Sequence, residues 1–119
     1  MDSIRAVSGE FTKGVGGRWV FSGDNALLAR PYDFGDEAVD SLVACLSDER
    51  EGNILLNGRR LGVAMSCYQA LSRTAYPTEF EDGDGNWPGA LEPDALPDEI
   101  RAGAAAWRQV VARKQYRRA

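Results

Sequence analysis

The order of apolar and polar positions predicts strands in the first third of the chain. Short apolar runs at 18–21 and 26–29 are separated by residues 22–25, which is the spacing of a β-hairpin with a four-residue turn. A first strand at about 3–12 would join them through the glycine-rich residues 13–17, which we interpret as a flexible hairpin loop. This pattern predicts an antiparallel meander of about three strands, covering 1–34 with its turns.

A helical repeat follows the strands. The apolar positions from Val39 to Leu46 recur at intervals of three and four, which places them on one helix face. Asp33 is in a position to cap this helix. The carboxylates just after Gly35 would interact favourably with the positive N-terminal end of the helix dipole. We expect the helix to begin near Gly35 and to stop by Gly52.

A second helical repeat is less regular. It consists of Leu61, Ala64, Met65, Tyr68 and Leu71. These positions predict a helix over about 59–75, with Asn57 near its N-terminal cap. Two alternatives stay open: the Asn57-Gly58 pair also fits a tight turn, and residues 61–67 also fit a strand. A short apolar strand or turn is expected near 54–58.

The last predicted helix covers 97–116. Pro97 suits the first helical position, and the acidic pair after it suits the first turn. The apolar stripe of this helix is Ile100, Ala104, Trp107 and Val111. Its basic end is formed by Arg113, Lys114, Arg117 and Arg118, which would meet the negative end of the helix dipole.

Together these elements predict an α+β fold in which the meander packs with about three helices. The 119 residues suit one compact domain over 1–119, and an apolar fraction of 44% is typical of folded proteins. No run is long enough for a membrane span, and the first residues lack the basic and apolar regions of a signal peptide, so we expect a cytoplasmic protein. The expected core is Trp19, Phe21, Leu27, Val39, Leu42, Val43, Leu46, Met65, Tyr68, Ile100, Trp107 and Val111.

The absence of histidine narrows the possible chemistry. Without imidazole the chain cannot form a Ser-His-Asp or Cys-His site, and two cysteines are too few for a usual structural zinc site. The apolar settings of Cys45 and Cys67 favour buried free thiols in a reducing compartment over a disulfide between them. No metal or cofactor is expected.

Residues 76–96 form a long acidic loop between the last two predicted helices. Proline and glycine interrupt the segment, and a connection of this length is usually either functional or disordered. We expect Trp87, Phe80 and Leu91 to hold part of it against the body, since an exposed indole would leave a large apolar surface in water. Residues 82, 84 and 86 have the spacing of a calcium loop, but the glycine and closing glutamate of such a loop are missing.

Charge is segregated at this end of the chain. Eight carboxylates and no base lie between Thr74 and Ile100, and six bases and no acid lie after Ile100. The two blocks could simply neutralise each other, but exposed ion pairs contribute only about 0 to 1 kcal/mol each. The functional hypothesis is therefore a negative surface steered to a basic partner.

This hypothesis describes a non-catalytic binding or inhibitor protein of bacterial or phage type. The partner would be a larger bacterial protein or complex with a basic surface, in the manner of anti-CRISPR and immunity proteins, although no motif of any one family is present. The predicted partner-binding residues are Glu79, Glu81, Asp82, Asp84, Trp87, Glu92 and Asp94. Acidic residues elsewhere would extend the surface, namely Asp33, Asp36, Glu37, Asp40, Asp48, Glu49 and Glu51.

Two other function classes stay open. The basic helix end could contact nucleic acid phosphates through Arg113, Lys114, Arg117 and Arg118, although the net charge of −4 opposes this. An enzyme is the third class, since a pocket could contain Arg59, Arg60, Ser66, Cys67 or Tyr68. A deep apolar pocket with a titratable group of shifted pKa would favour it.

Overall fold

Strands between residues 8 and 62 pair into one main sheet, and helices pack with it. The structure is a computed structural model that describes residue 4 and residues 6–77 and 89–118. The strands of the main sheet are β1 (Ser8–Lys13), β2 (Trp19–Gly23), β3 (Glu51–Leu56) and β4 (Arg59–Gly62). The helices are α1 (Asn25–Ala29), α2 (Asp36–Cys45), α3 (Val63–Thr74) and α4 (Pro97–Ala112). A second, two-stranded sheet pairs β5 (Ala75–Pro77) with β6 (Tyr116–Arg118).

The main sheet has the strand order β2-β1-β3-β4. β1 is antiparallel to β2 and parallel to β3, and β3 is antiparallel to β4. Phe11 stands at the centre, opposite Phe21 on one side and Leu56 on the other, and its ring centroid lies 5.2 Å from that of Phe21. The predicted α+β class is confirmed, with four strands in the main sheet where about three were expected.

The predicted strand at 26–29 is wrong, because these residues belong to α1. The chain turns at Asp24, whose carboxylate accepts a hydrogen bond from the N–H of Ser8 at 3.0 Å. Leu28 of α1 is then fully buried against the core. An apolar run of four residues fits a short helix as well as a strand, so periodicity alone could not separate them. β2 pairs instead with β1, across a loop that contains a 3-10 turn at Val15–Gly17.

The helix predicted to begin near Gly35 is confirmed as α2, but its start is formed differently. Asp33 is not the cap, because it lies within a 3-10 turn at Arg30–Phe34. Gly35 occupies the cap position with φ 72°, a backbone conformation that glycine adopts without strain. The apolar stripe of α2 is buried as predicted, with Leu42 fully enclosed.

The segment after Leu56 contains a hairpin and then a helix. Asn57 and Gly58 both have positive φ, at 53° and 80°, as the two central residues of a type I′ turn require. The tight-turn alternative is therefore correct, and Asn57 does not cap a helix. α3 begins only at Val63 because the preceding residues pair with β3 as strand β4.

The C-terminal helix is shorter than predicted. α4 ends at Ala112, and the chain reverses through Lys114, which has φ 54°. Residues 116–118 then pair with β5 instead of continuing the helix. Val110 is buried and Val111 is only partly buried, so the apolar stripe is centred on Trp107 and Val110.

Cys45 and Cys67 form a disulfide, so the prediction of free thiols is wrong. Cys45 ends α2 and Cys67 lies in the second turn of α3, and packing of the two helices brings their Cα atoms to 5.9 Å, within the usual range for a disulfide. The predicted burial of both residues is confirmed. The cysteine-based argument for a reducing compartment no longer holds.

The predicted core is largely confirmed. Six of its members are buried: Val39, Leu42, Val43, Leu46, Met65 and Trp107. Six others are partly buried and pack against them: Trp19, Phe21, Leu27, Tyr68, Ile100 and Val111. Among the described residues, no helix is long and apolar enough to cross a membrane.

Leu42→Ala should lower the free energy of unfolding by about 2 to 5 kcal/mol, because the substitution leaves a cavity in a fully enclosed site. Chemical denaturation measures this change. The matched control is Leu96→Ala, which removes the same atoms from a side chain that is 65% exposed and should change stability by less than about 0.5 kcal/mol. Equal losses at the two positions would contradict the assigned helical phase of α2.

The free energy of unfolding of the Cys45→Ala/Cys67→Ala double variant should be about 2 to 4 kcal/mol lower than that of the disulfide-bonded wild-type protein. The cross-link stabilises the wild-type protein because it restricts the unfolded chain. Reductant should lower the Tm of the wild-type protein and leave that of the double variant unchanged. Mass spectrometry should verify that the reductant has broken the bond. If the Tm of the wild-type protein is then the same with and without reductant, the disulfide does not stabilise the fold.

Candidate functional site

The acidic segment predicted to bind a partner is described only in its C-terminal part. Glu79, Glu81, Asp82, Asp84 and Trp87 lie outside the described residues, as do Phe80 and the calcium-like position Asn86. Glu92 and Asp94 are described, and both are exposed. Of the predicted partner-binding residues, Glu92 and Asp94 are therefore the two whose positions the structure describes.

The chain on either side of Glu92 is held against the body. Leu91 is only 9% exposed and belongs to the core, which confirms the expectation that it anchors the segment. Pro93 is also buried. Just before them, the carbonyl oxygen of Gly89 accepts a hydrogen bond of 3.0 Å from the indole nitrogen of Trp107. Glu92 and Asp94 therefore stand on a fixed piece of backbone.

The surroundings of Tyr68 show that this backbone packs against α3. Burial raises the pKa of Tyr68, a backbone hydrogen bond from Leu91 opposes the rise, and the negative charge of Glu92 adds to it. The phenol of α3 is thus covered by the segment that carries the exposed carboxylates. The anchored end of the acidic segment lies over α3.

The acidic residues that begin α4 have structural roles. The side chain of Glu99 accepts a hydrogen bond of 2.9 Å from the N–H of Leu96, which satisfies a free donor at the helix start. Asp98 accepts a hydrogen bond of 2.9 Å from Arg101. Glu92 and Asp94 have no such partner among the described residues, so their charge remains available.

Arg101 is the base nearest to these acidic residues along the chain, and it is already neutralised. Its guanidinium contacts Glu49 at 3.1 Å and Asp98 at 2.9 Å. The hydrogen bond to Glu49 is the main reason that the pKa of Arg101 is raised. We call the exposed carboxylates of this stretch, Glu92, Asp94, Asp98 and Glu99, the acidic face.

The other acidic residues predicted to extend this surface lie on different elements, and their part in it stays a prediction. Asp36 and Glu37 begin α2, whereas Glu49 follows its other end, and ten helical residues span about 15 Å. Asp48 accepts hydrogen bonds from the backbone and side chain of Arg50, the shortest being 2.7 Å. Asp36 and Glu37 therefore lie at the opposite end of α2 from Glu49.

The basic C-terminal residues do not line one helix face. Arg113 and Lys114 lie in the turn after α4, and Arg117 lies in β6 opposite Tyr76. The sixteen residues of α4 place this turn about 24 Å from the acidic start of the helix. The two charge blocks therefore lie at opposite ends of α4.

The residues considered for an enzyme are not brought together. Ser66 and Cys67 are fully buried, and Cys67 is bonded to Cys45. Arg59 and Arg60 are exposed on β4. In the ranges 6–77 and 89–118, no cluster of three or more His, Cys, Asp or Glu residues could hold a metal ion.

Sequence reasoning missed a groove between α4 and the end of α2. The groove has a volume of about 590 Å³, and the residues of α4 that line it include the apolar Ile100 and Ala104 and the bases Arg101 and Arg108. The two arginines are seven residues apart on α4, with Ala104 between them, which places all three on one side of the helix. That spacing is the only sequence signal that could have indicated the groove.

A comparison of the chain with protein-family profiles, curated proteins and solved structures found no significant match.

The pKa of Tyr68 should lie above the ordinary tyrosine value of about 10 in the folded protein, because the phenol is buried. The folded state then holds the proton more tightly than the unfolded state, so this contribution to stability is complete below about pH 10 and is lost as the pH rises through the folded pKa. The difference in tyrosinate absorbance between the wild-type protein and Tyr68→Phe measures the folded pKa. Glu92→Gln should lower that pKa, and Glu10→Gln, on the distant strand β1, should not. An unchanged pKa in Glu92→Gln would contradict the docked position of Glu92.

Proposed function

We propose that the protein is a non-catalytic binding protein that docks on a basic surface of a larger protein through the acidic segment 79–94 and the acidic face. The observation that supports this proposal is the exposure of Glu92 and Asp94 on backbone anchored by Leu91 and by the Trp107 hydrogen bond. Neither carboxylate has an ionic partner among the described residues. Anchored, unpaired charge of one sign is suited to steering and orienting an oppositely charged partner.

The anchoring matters because it lowers the entropic cost of binding. A carboxylate on a free chain must be ordered when the partner docks, at about 0.5 to 1.5 kcal/mol for each side chain and more for the backbone. The backbone of Glu92 is already fixed by the buried residues on both sides of it. Glu79, Glu81, Asp82, Asp84 and Trp87 belong to the proposed partner-binding segment by their place in the sequence. An inhibitor of bacterial or phage type, comparable to anti-CRISPR and immunity proteins, is the kind of molecule proposed.

The proposal predicts a salt-dependent association rate. A partner is first captured from bacterial lysate with the wild-type protein, and its binding kinetics are then measured with Glu92→Lys/Asp94→Lys. Association should slow by about tenfold near 0.1 M salt and by much less near 1 M, where the Debye length falls from about 10 Å to about 3 Å. The same measurement on Glu81→Lys/Asp82→Lys/Asp84→Lys tests the rest of the segment.

The matched control for the double variant is Glu10→Lys/Asp40→Lys. It makes the same change in net charge at exposed positions on β1 and α2, away from the acidic face. Its association rate should change much less than that of Glu92→Lys/Asp94→Lys. Equal rates for both double variants and the wild-type protein near 0.1 M salt would contradict the proposal. Binding to a labelled DNA duplex that is lost in Arg113→Gln/Lys114→Gln would favour nucleic acid as the partner instead.

A further inference from the structure

The groove beside α4 is lined by four charged residues, and one of its two bases has no carboxylate partner among the described residues. Its lining contains the acids Asp48 and Glu49 and the bases Arg101 and Arg108. Asp48 is neutralised by Arg50 at 2.7 Å, and Glu49 is neutralised by Arg101 at 3.1 Å. Arg108 remains as the base in the groove with no carboxylate partner among the described residues.

Arg108 has a neutral hydrogen-bond partner that also faces the groove. Its guanidinium donates to the side-chain oxygen of Ser47 at 3.0 Å, and both residues line the groove. A guanidinium has five N–H donors and binds a carboxylate through two of them, so this contact leaves donors for a ligand. A serine hydroxyl beside it can donate a further hydrogen bond. Arg108 and Ser47 together provide hydrogen-bond donors for one carboxylate.

Apart from its four charged residues and Ser47, the groove is lined by Gly62 and apolar side chains. The apolar lining residues are Leu46, Ala64, Pro97, Ile100 and Ala104. The volume of about 590 Å³ lies within the range of about 300 to 1,000 Å³ that is usual for small-molecule pockets. Apolar walls with a few placed polar groups are also typical of such pockets.

We propose that this groove binds a small organic anion, whose single carboxylate contacts Arg108 and Ser47 and whose apolar body covers Ile100 and Ala104. A metal cation is disfavoured because both lining carboxylates are already paired. A phosphate-rich ligand is disfavoured because Arg101, the other base, is held by Glu49 and Asp98. Neither Glu92 nor Asp94 lines the groove, so anion binding there is tested separately from the docking proposed for these two carboxylates.

The test uses 2-naphthoate as the probe and the uncharged 2-naphthamide as its matched control. Amide chemical shifts are recorded on the full chain during titration with each compound. Naphthoate should shift the amides of Ser47, Gly62, Ala64 and Ala104, and should bind about tenfold more tightly than naphthamide, because one charged hydrogen-bonded pair is missing from the amide.

Arg108→Gln should weaken naphthoate binding by about tenfold and make the two probes bind alike. Arg108 is exposed, so the variant should keep the fold, and its amide spectrum checks this directly. The matched control, Arg113→Gln, removes a base from the other end of α4 and should leave both affinities unchanged. With the wild-type protein, the proposal is overturned if naphthoate does not bind, if both probes bind equally, or if the shifted amides lie outside the groove. With Arg108→Gln, it is overturned if naphthoate binds as tightly as it does to the wild-type protein.

Discussion

Burial of α3 on most of its surface is the constraint on which the rest of the structure depends. Eight of its twelve residues are buried, and it contacts α1, α2, β3, β4 and β5. Neighbours can approach closely because many of its side chains are small, including Ala64, Ser66 and Ala70. The hydroxyl of Ser66 has no hydrogen-bond partner among the described residues, which costs about 1 to 3 kcal/mol. The apolar packing of the same helix offsets this cost.

The position of α3 determines where the acidic segment is anchored. Tyr68 lies on the side of α3 that the chain crosses after Gly89, and Leu91 is buried in the same core. Trp107 then fixes the carbonyl of Gly89 from α4. The exposed carboxylates at Glu92 and Asp94 are thus placed by the packing of neighbouring apolar residues.

α4 carries both proposed surfaces. Its N-terminal turn contributes Asp98 and Glu99 to the acidic face, and these residues also stabilise the helix start. One side of the same helix, from Arg101 to Arg108, lines the groove, while Trp107 fills the core. Because Trp107 and Val110 form the packed face of α4, an exposed side chain such as Arg108, which has no part in the helix start, can be changed while the core contacts of the helix are kept.

Elements with a local sequence pattern that extends over several helical turns could be predicted from the amino-acid sequence alone. The stripe that includes Leu42 predicted α2, and the proline and acidic pair at residues 97–99 predicted the start of α4, because helical periodicity over several turns has few alternative interpretations. The anchoring role of Leu91 and the exposure of Glu92 and Asp94 also followed from local composition. These are properties of a segment and its neighbours along the chain.

Tertiary structure decided what depends on distant partners. The run at 26–29 is helical because Leu28 is buried against the core, and residues 59–62 form a strand because β3 lies beside them. The disulfide of Cys45 and Cys67 exists because two helices bring residues 22 positions apart to a Cα distance of 5.9 Å. The groove likewise needs α2 and α4 to meet. Short apolar runs and isolated cysteines have several stable environments, and only packing between distant segments selects one of them.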